Sequence, residues 1–84
     1  MQLLWESVKP EENRYRFYSL SIGPDLWGEP CLVSRWGRLW GSPSREAFNW
    51  PEAEGEVQVI VQATHRNRLR HGYRLVKGNL QGIK

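Results

Sequence analysis

Val57-Gln58-Val59-Ile60-Val61-Gln62-Ala63-Thr64-His65-Arg66-Asn67-Arg68-Leu69-Arg70 is the stretch on which the fold class turns, because it satisfies two patterns at once. Val57, Val59, Val61 and Ala63 alternate with Gln58, Ile60 and Gln62, and the β-branched side chains favour a strand. Val57, Ile60, Val61 and Thr64 also share one helical face, and the run is too long between breakers for an ordinary strand. The order of charges decides. Glu52, Glu54 and Glu56 crowd the amino end and Arg66, Arg68 and Arg70 the carboxyl end, the polarity a helix dipole favours, with Pro51 near the start and Gly72 just past the end. A helix over about Glu54 to Arg70 is predicted, with Val57, Ile60, Val61 and Leu69 packed on a sheet.

The sheet is read from the segments before it. Tyr15 to Ile22 alternates as a strand, with Tyr15, Phe17, Ser19 and Ser21 on one face and Arg16, Tyr18, Leu20 and Ile22 on the other. Gly23-Pro24-Asp25 and Gly28-Glu29-Pro30 punctuate the link to a second strand, Cys31 to Leu39, expected to pair antiparallel with the first. Gly41-Ser42-Pro43-Ser44 is the next turn, and Arg45 to Trp50 a short, edge-like strand. Gln2 to Val8 adds another before Lys9-Pro10-Glu11-Glu12 breaks it, and a short strand follows the helix. These elements predict an α+β fold, a small antiparallel sheet packed against one helix, in a single domain over 1–84 with its core at about 12–76 and a short tail at 77–84.

Within the second strand, Arg35-Trp36-Gly37-Arg38-Leu39-Trp40-Gly41 sets arginines on both sides of a tryptophan. In extended chain Leu32, Ser34, Trp36 and Arg38 point the same way, so a flat ring and a guanidinium share a surface. The ring suits stacking on a base or sugar, the guanidinium matches a phosphate, and Gly37 leaves room for a backbone to approach. The same tract equally suits a core strand whose glycine marks a bulge.

The net charge of +3 is moderate, but the last acidic residue is Glu56, and Arg66, Arg68, Arg70, Arg74, Lys77 and Lys84 follow unopposed. Nine of the twelve basic residues are arginines, a bias toward a phosphate or carboxylate partner, since lysine would serve solubility as well. Eighty-four residues with 39% hydrophobic content support one modest core without a roomy catalytic cleft. The lone Cys31 forms no internal disulfide, and a buried structural thiol is the expected role. His65 and His71 are six apart, on opposite sides of a helix, so no metal site is expected. No glycine spacing cradles a phosphate, no cofactor is implied, and catalysis by this chain is not expected. Neither a leader nor a membrane span is read, which points to a reducing cytoplasm.

Trp36-Gly37-Arg38 carries a resemblance to the WGR domain family, named for that triplet. Asn13-Arg14-Tyr15-Arg16-Phe17-Tyr18 resembles the family's first strand, Pro24-Asp25-Leu26-Trp27-Gly28 a turn common in bacterial members, and Arg68-Leu69-Arg70-His71-Gly72-Tyr73 its basic helix end closing in Gly-Tyr. The resemblance covers about residues 12–76. It implies a bacterial stand-alone domain similar to the WGR domain of poly(ADP-ribose) polymerases, where the motif tryptophan packs near the sugar at a DNA 5′ end and the motif arginine and a helix-end base contact the backbone. Those roles would fall to Trp36, Arg38 and Arg68. The chain departs from the pattern after Leu39, where many members have glycine and Trp40 stands here. Trp40 suits either an extension of the stacking platform or cover of the core or its rim, the second being favoured; Trp5, Trp27 and Trp50 are assigned to packing, Trp27 being the most exposed, and Tyr73 to anchoring the chain after the helix.

The expected function is a non-catalytic nucleic-acid-binding module, favouring DNA over RNA and ends or nicks, with Arg35, Trp36, Arg38, Arg66, Arg68 and Arg70 as contact residues. Arg68 projects about 160° away from Arg66, so the helix-end arginines do not all meet one phosphate. The alternative is a protein-interaction domain docking an acidic protein partner through the same surface. A monomer or weak homo-oligomer through an edge strand is expected, without membrane association.

Overall fold

The structure, a computed structural model, describes residues 1–40, 43–53, 55–78 and 80. Five strands and one helix follow in the order β1 (Gln2–Lys9), β2 (Arg14–Pro24), β3 (Pro30–Arg38), β4 (Arg45–Asn49), α1 (Glu56–Arg70) and β5 (Arg74–Lys77), with a short 3-10 turn at Pro10–Glu12. The strands form one antiparallel sheet in the order β4-β3-β2-β1-β5. The α+β architecture is thus the one expected. Two of the expected features, the predicted start of the helix at Glu54 and the first half of the Gly41-Ser42-Pro43-Ser44 turn, lie outside the described residues.

β1 has a larger part than the sequence assigns it. It sits between β2 and β5, and Leu3, Trp5 and Ser7 alternate inward along it, each 1% exposed or less. Register places Trp5 beside Tyr18 and Leu3 beside Leu20 on β2, with Trp36 and Ser34 next in line on β3. Helix α1 covers this face. Leu3, Trp5, Leu20, Leu32, Val61 and Tyr73 make the core, flanked by Tyr18, Ile22, Val57, Ile60, Leu75 and Leu80. Full burial of a large apolar side chain is worth about 1.5–3 kcal/mol, so Trp5 alone, with no exposed surface, is a principal anchor of the helix on the sheet.

The inner stripe of α1 differs from the predicted one at its carboxyl end. Val61 is fully buried and Val57 and Ile60 pack on the core, but Leu69 is half exposed. The stripe continues instead through His65 and Arg68, both half-buried. Residues 57, 61, 65 and 68 follow the three-to-four spacing of one helical face, whereas residue 69 lies about 100° beyond 68. Polar side chains occupy buried positions there because each finds a partner. His65 Nδ1 accepts a 3.0 Å hydrogen bond from Trp5 Nε1, and Arg68 lies on aromatic rings.

The helix closes in a left-handed glycine. Gly72 has φ +84°, its N–H donates to Leu69 O at 3.2 Å, and the Tyr73 N–H reaches back to Arg68 O at 2.9 Å. This is the Schellman ending, which satisfies carbonyls that the helix leaves orphaned and brings the residue after the glycine against the residue that opens the last turn. That pair is Tyr73 and Arg68.

Candidate nucleic-acid interface

Arg68, Tyr18, Trp36 and Tyr73 form one cluster on the helix face of the sheet. The Trp36 and Tyr18 rings stack at 6.0 Å between centroids and 17° between planes, as cross-strand partners of β2 and β3. The Arg68 guanidinium sits 4.6 Å from the Tyr18 centroid and 5.1 Å from that of Tyr73. Such cation–π contacts are worth about 0.5–2 kcal/mol each, depending on desolvation, and fix a cation that would otherwise sample many rotamers. Arg68 Nε is buried without a hydrogen-bond partner among the described residues.

Further arginines extend this surface, and two of them were not singled out in the sequence. Arg16 on β2 faces Arg38 on β3 directly, one residue pair beyond Tyr18 and Trp36 on the same face. Arg14 Nη2 donates to His71 O at 2.7 Å, and its guanidinium lies 5.7 Å from the Tyr73 centroid, opposite in function to Arg68: it caps the helix end. Arg38 Nη2 donates to Asn13 Oδ1 at 3.2 Å and lies 5.9 Å from the Tyr15 centroid. Arg14, Arg16 and Arg38, with Asn13, Tyr15 and Tyr73, border an open cleft of about 440 Å³. Alternation along Arg14-Tyr15-Arg16-Phe17-Tyr18 carries the signal for both additional arginines, since it puts Arg14 and Arg16 on the face of Tyr18.

The other expected contact residues fall elsewhere. Arg35 points to the opposite face, where its Nη2 pairs with Glu46 Oε1 at 2.8 Å across β3 and β4. Arg66 and Arg70 are exposed on the outer side of α1, turned away from Arg68 as helical geometry requires. Of the six residues, Trp36, Arg38 and Arg68 are therefore on one surface and Arg35 is not. Among the described residues no carboxylate forms an ion pair with Arg14, Arg16, Arg38 or Arg68.

Gly37 does not leave the open space expected of it. A Cβ there would meet Ser44 Cα at 3.2 Å and Phe17 Cε1 at 3.5 Å, so the chain's own backbone takes the room. Trp40 is 77% exposed, which rules out core cover; its ring rests on Tyr15 at 5.6 Å, at the rim. Its φ of +59° is a conformation that favours glycine. Trp27 and Trp50, expected to pack, are 81% and 50% exposed on the other side of the sheet.

The family profile of the WGR domain matches residues 1–79. The chain belongs to the WGR domain family. This WGR domain is also 32% identical over 73 residues to the uncharacterized protein y4dW of Sinorhizobium fredii (strain NBRC 101917 / NGR234), a match that covers 87% of the chain and 35% of that protein. The chain thus spans about a third of the length of that relative. No solved structure matches the chain significantly. The profile takes in β1, which the sequence resemblance over 12–76 leaves out and which supplies the core tryptophan. The triplet has a structural logic: Trp36 enters the stack, Gly37 admits Ser44 and Phe17, and Arg38 returns to the surface beside Arg16. No described helix is long and apolar enough to cross a membrane.

Proposed function

We propose that this WGR domain is a non-catalytic module that holds nucleic acid, DNA in preference to RNA, at ends or nicks. The observation that carries the reading is Arg68, lodged over Tyr18 and Tyr73 beside the Trp36–Tyr18 stack with no carboxylate among the described residues paired to it. A fixed guanidinium beside a partly exposed indole is the arrangement that serves a phosphodiester strand: the cation takes phosphate oxygens and the ring takes a sugar or a base face. Arg38 and Arg16 supply neighbouring charge along the same face. Ends and nicks favour the mode, because a ring reaches a sugar or base face there without unstacking a continuous duplex. No recognition helix enters a groove in this arrangement, so binding is indifferent to base sequence.

Fluorescence anisotropy tests the reading with labelled blunt, nicked and 5′-phosphorylated duplexes, single strands and RNA, each at two salt concentrations. Arg68→Ala and the double variant Trp36→Ala/Arg38→Ala are expected to lose at least about tenfold in affinity, equivalent to about 1.4 kcal/mol. Arg35→Ala, altered on the opposite face, should bind like the wild type. Equal losses in all variants would point to diffuse charge attraction, and absence of binding at low salt would sink the proposal and direct attention to an acidic protein partner.

A further inference from the structure

Among the described residues, no helix covers the face of the sheet opposite α1. On it Phe48, 55% exposed, stacks on Trp50 at 6.3 Å and 28°, and Leu26 and Trp27 stand beside them around an open, mainly apolar cleft of about 530 Å³. Strand β4, which carries Phe48, is the outermost of its side of the sheet, and all five of its residues are exposed. Its sequence, Arg45-Glu46-Ala47-Phe48-Asn49, includes neither proline nor lysine, and the charge of Glu46 is taken up by Arg35 of the neighbouring strand. An open edge and an aromatic patch on the same strand form a pairing template, and large contiguous apolar patches on a monomer mark interaction sites.

We propose that the occupant is a second copy of this chain, with β4 pairing antiparallel to β4 across a two-fold axis that passes through Phe48. Self-complementarity favours this occupant. With Phe48 on the axis, Phe48 meets Phe48, each Trp50 meets Glu46 of the other copy, and Ala47 meets Asn49, so four rings gather on one face of the seam. Glu46 is already paired with Arg35 at 2.8 Å, so each indole meets an ion pair and no lone charge is buried. The next symmetric register, with Ala47 on the axis, would set Glu46 against Phe48 and Ser44 against Trp50, so that no ring lies directly opposite a ring. A shift by one residue would turn the two aromatic faces to opposite sides. Charge points the same way: Glu46 and Asp25 offset Arg35 on this side, whereas the Arg14, Arg16, Arg38 and Arg68 face would repel its own copy.

The axis stands perpendicular to the sheet, so both α1 faces lie on one side of a sheet continuous through the two copies. Both Trp36–Arg68 surfaces then address one length of nucleic acid, a consequence that rests on the proposed function, whereas the pairing does not.

Light scattering of the intact chain from micromolar to millimolar concentration, without nucleic acid, tests the pairing. A concentration-dependent dimer is expected, and Phe48→Arg, with circular dichroism confirming its fold, should stay monomeric. In a Cys31→Ala background, Phe48→Cys should form a disulfide dimer under mild oxidation, because directly opposed residues lie about 4.5–5.5 Å apart, within disulfide reach. Ala47→Cys, whose copies would be diagonal neighbours about 7–8 Å apart, should not. A wild-type monomer at every concentration would overturn the proposal and assign the face to a different chain. A dimer that survives Phe48→Arg, or cross-links through Ala47→Cys in preference, would overturn it equally. Since the readout is mass and cross-linking, the pairing can fail while nucleic-acid binding stands, and the reverse.

Discussion

Trp5 is wholly buried, and the one polar atom of its ring is satisfied by His65 Nδ1. The imidazole must therefore present a bare Nδ1 to the indole. Replacing it by an apolar residue leaves the indole N–H with no acceptor, which costs about 1–3 kcal/mol. His65→Leu is accordingly expected to lower urea stability by that amount, with His65→Gln, which keeps an acceptor, recovering part of it; equal stability of the two variants would contradict the role given to the bond. A second residue-scale expectation concerns Gly37, where an added methyl would lie 3.2 Å from Ser44 Cα. Backbone yields less readily than a side-chain tip, so Gly37→Ala should destabilise by about 1 kcal/mol in the same assay.

Among the elements, the end of α1 joins stability to the candidate surface. Gly72→Ala places a Cβ at φ +84°, a strain of about 1–2 kcal/mol, and loosens the ending that sets Tyr73 against Arg68. Thermal denaturation should fall and nucleic-acid affinity should weaken with it, whereas a purely structural ending would move the first alone. The β2–β3 loop has its own switch at low pH. The Trp50 indole N–H, followed by backbone N–H groups of Glu29, Trp27 and Gly28, holds the Asp25 carboxyl below its ordinary value despite the opposing cost of desolvation. Because the folded value is depressed, the stabilisation is complete above the ordinary carboxylate value and is lost as pH falls through the depressed one. The Trp50 indole proton resonance should shift in that acid window and not in Asp25→Asn. Much of this element-scale order is legible in the sequence: period-two alternation finds β2 and β3, and the Glu-to-Arg order finds α1. The inner face of its last turns is not, because a hydrophobic count selects Leu69 where His65 and Arg68 are held by Trp5, Tyr18 and Tyr73. Alternation along β2 already sets Arg14 and Arg16 on the face of Tyr18, but the pairing of Arg16 with Arg38 comes from register between two strands, which neither strand reveals alone.

For the whole molecule, the two sides of the sheet divide charge from apolar surface. If the helix face engages three or four phosphates, the logarithm of the binding constant should fall with the logarithm of salt at a slope of about −3 to −4. Arg68→Ala should make that slope shallower by about one, a result that separates a phosphate contact from lost packing. Strand order carries a different consequence, one of timing. Of the five described strands, β1 precedes the others in the chain and pairs on one side with β2 and on the other with β5, which follows the helix, and Tyr73 comes just before β5. While a chain is still emerging from the ribosome, Trp36 and Tyr18 can already stand side by side, yet the clamp on Arg68 stays open. The Tyr73 side of that clamp is thus set only after synthesis has passed the helix, so the cluster is completed last although its first ring belongs to β2.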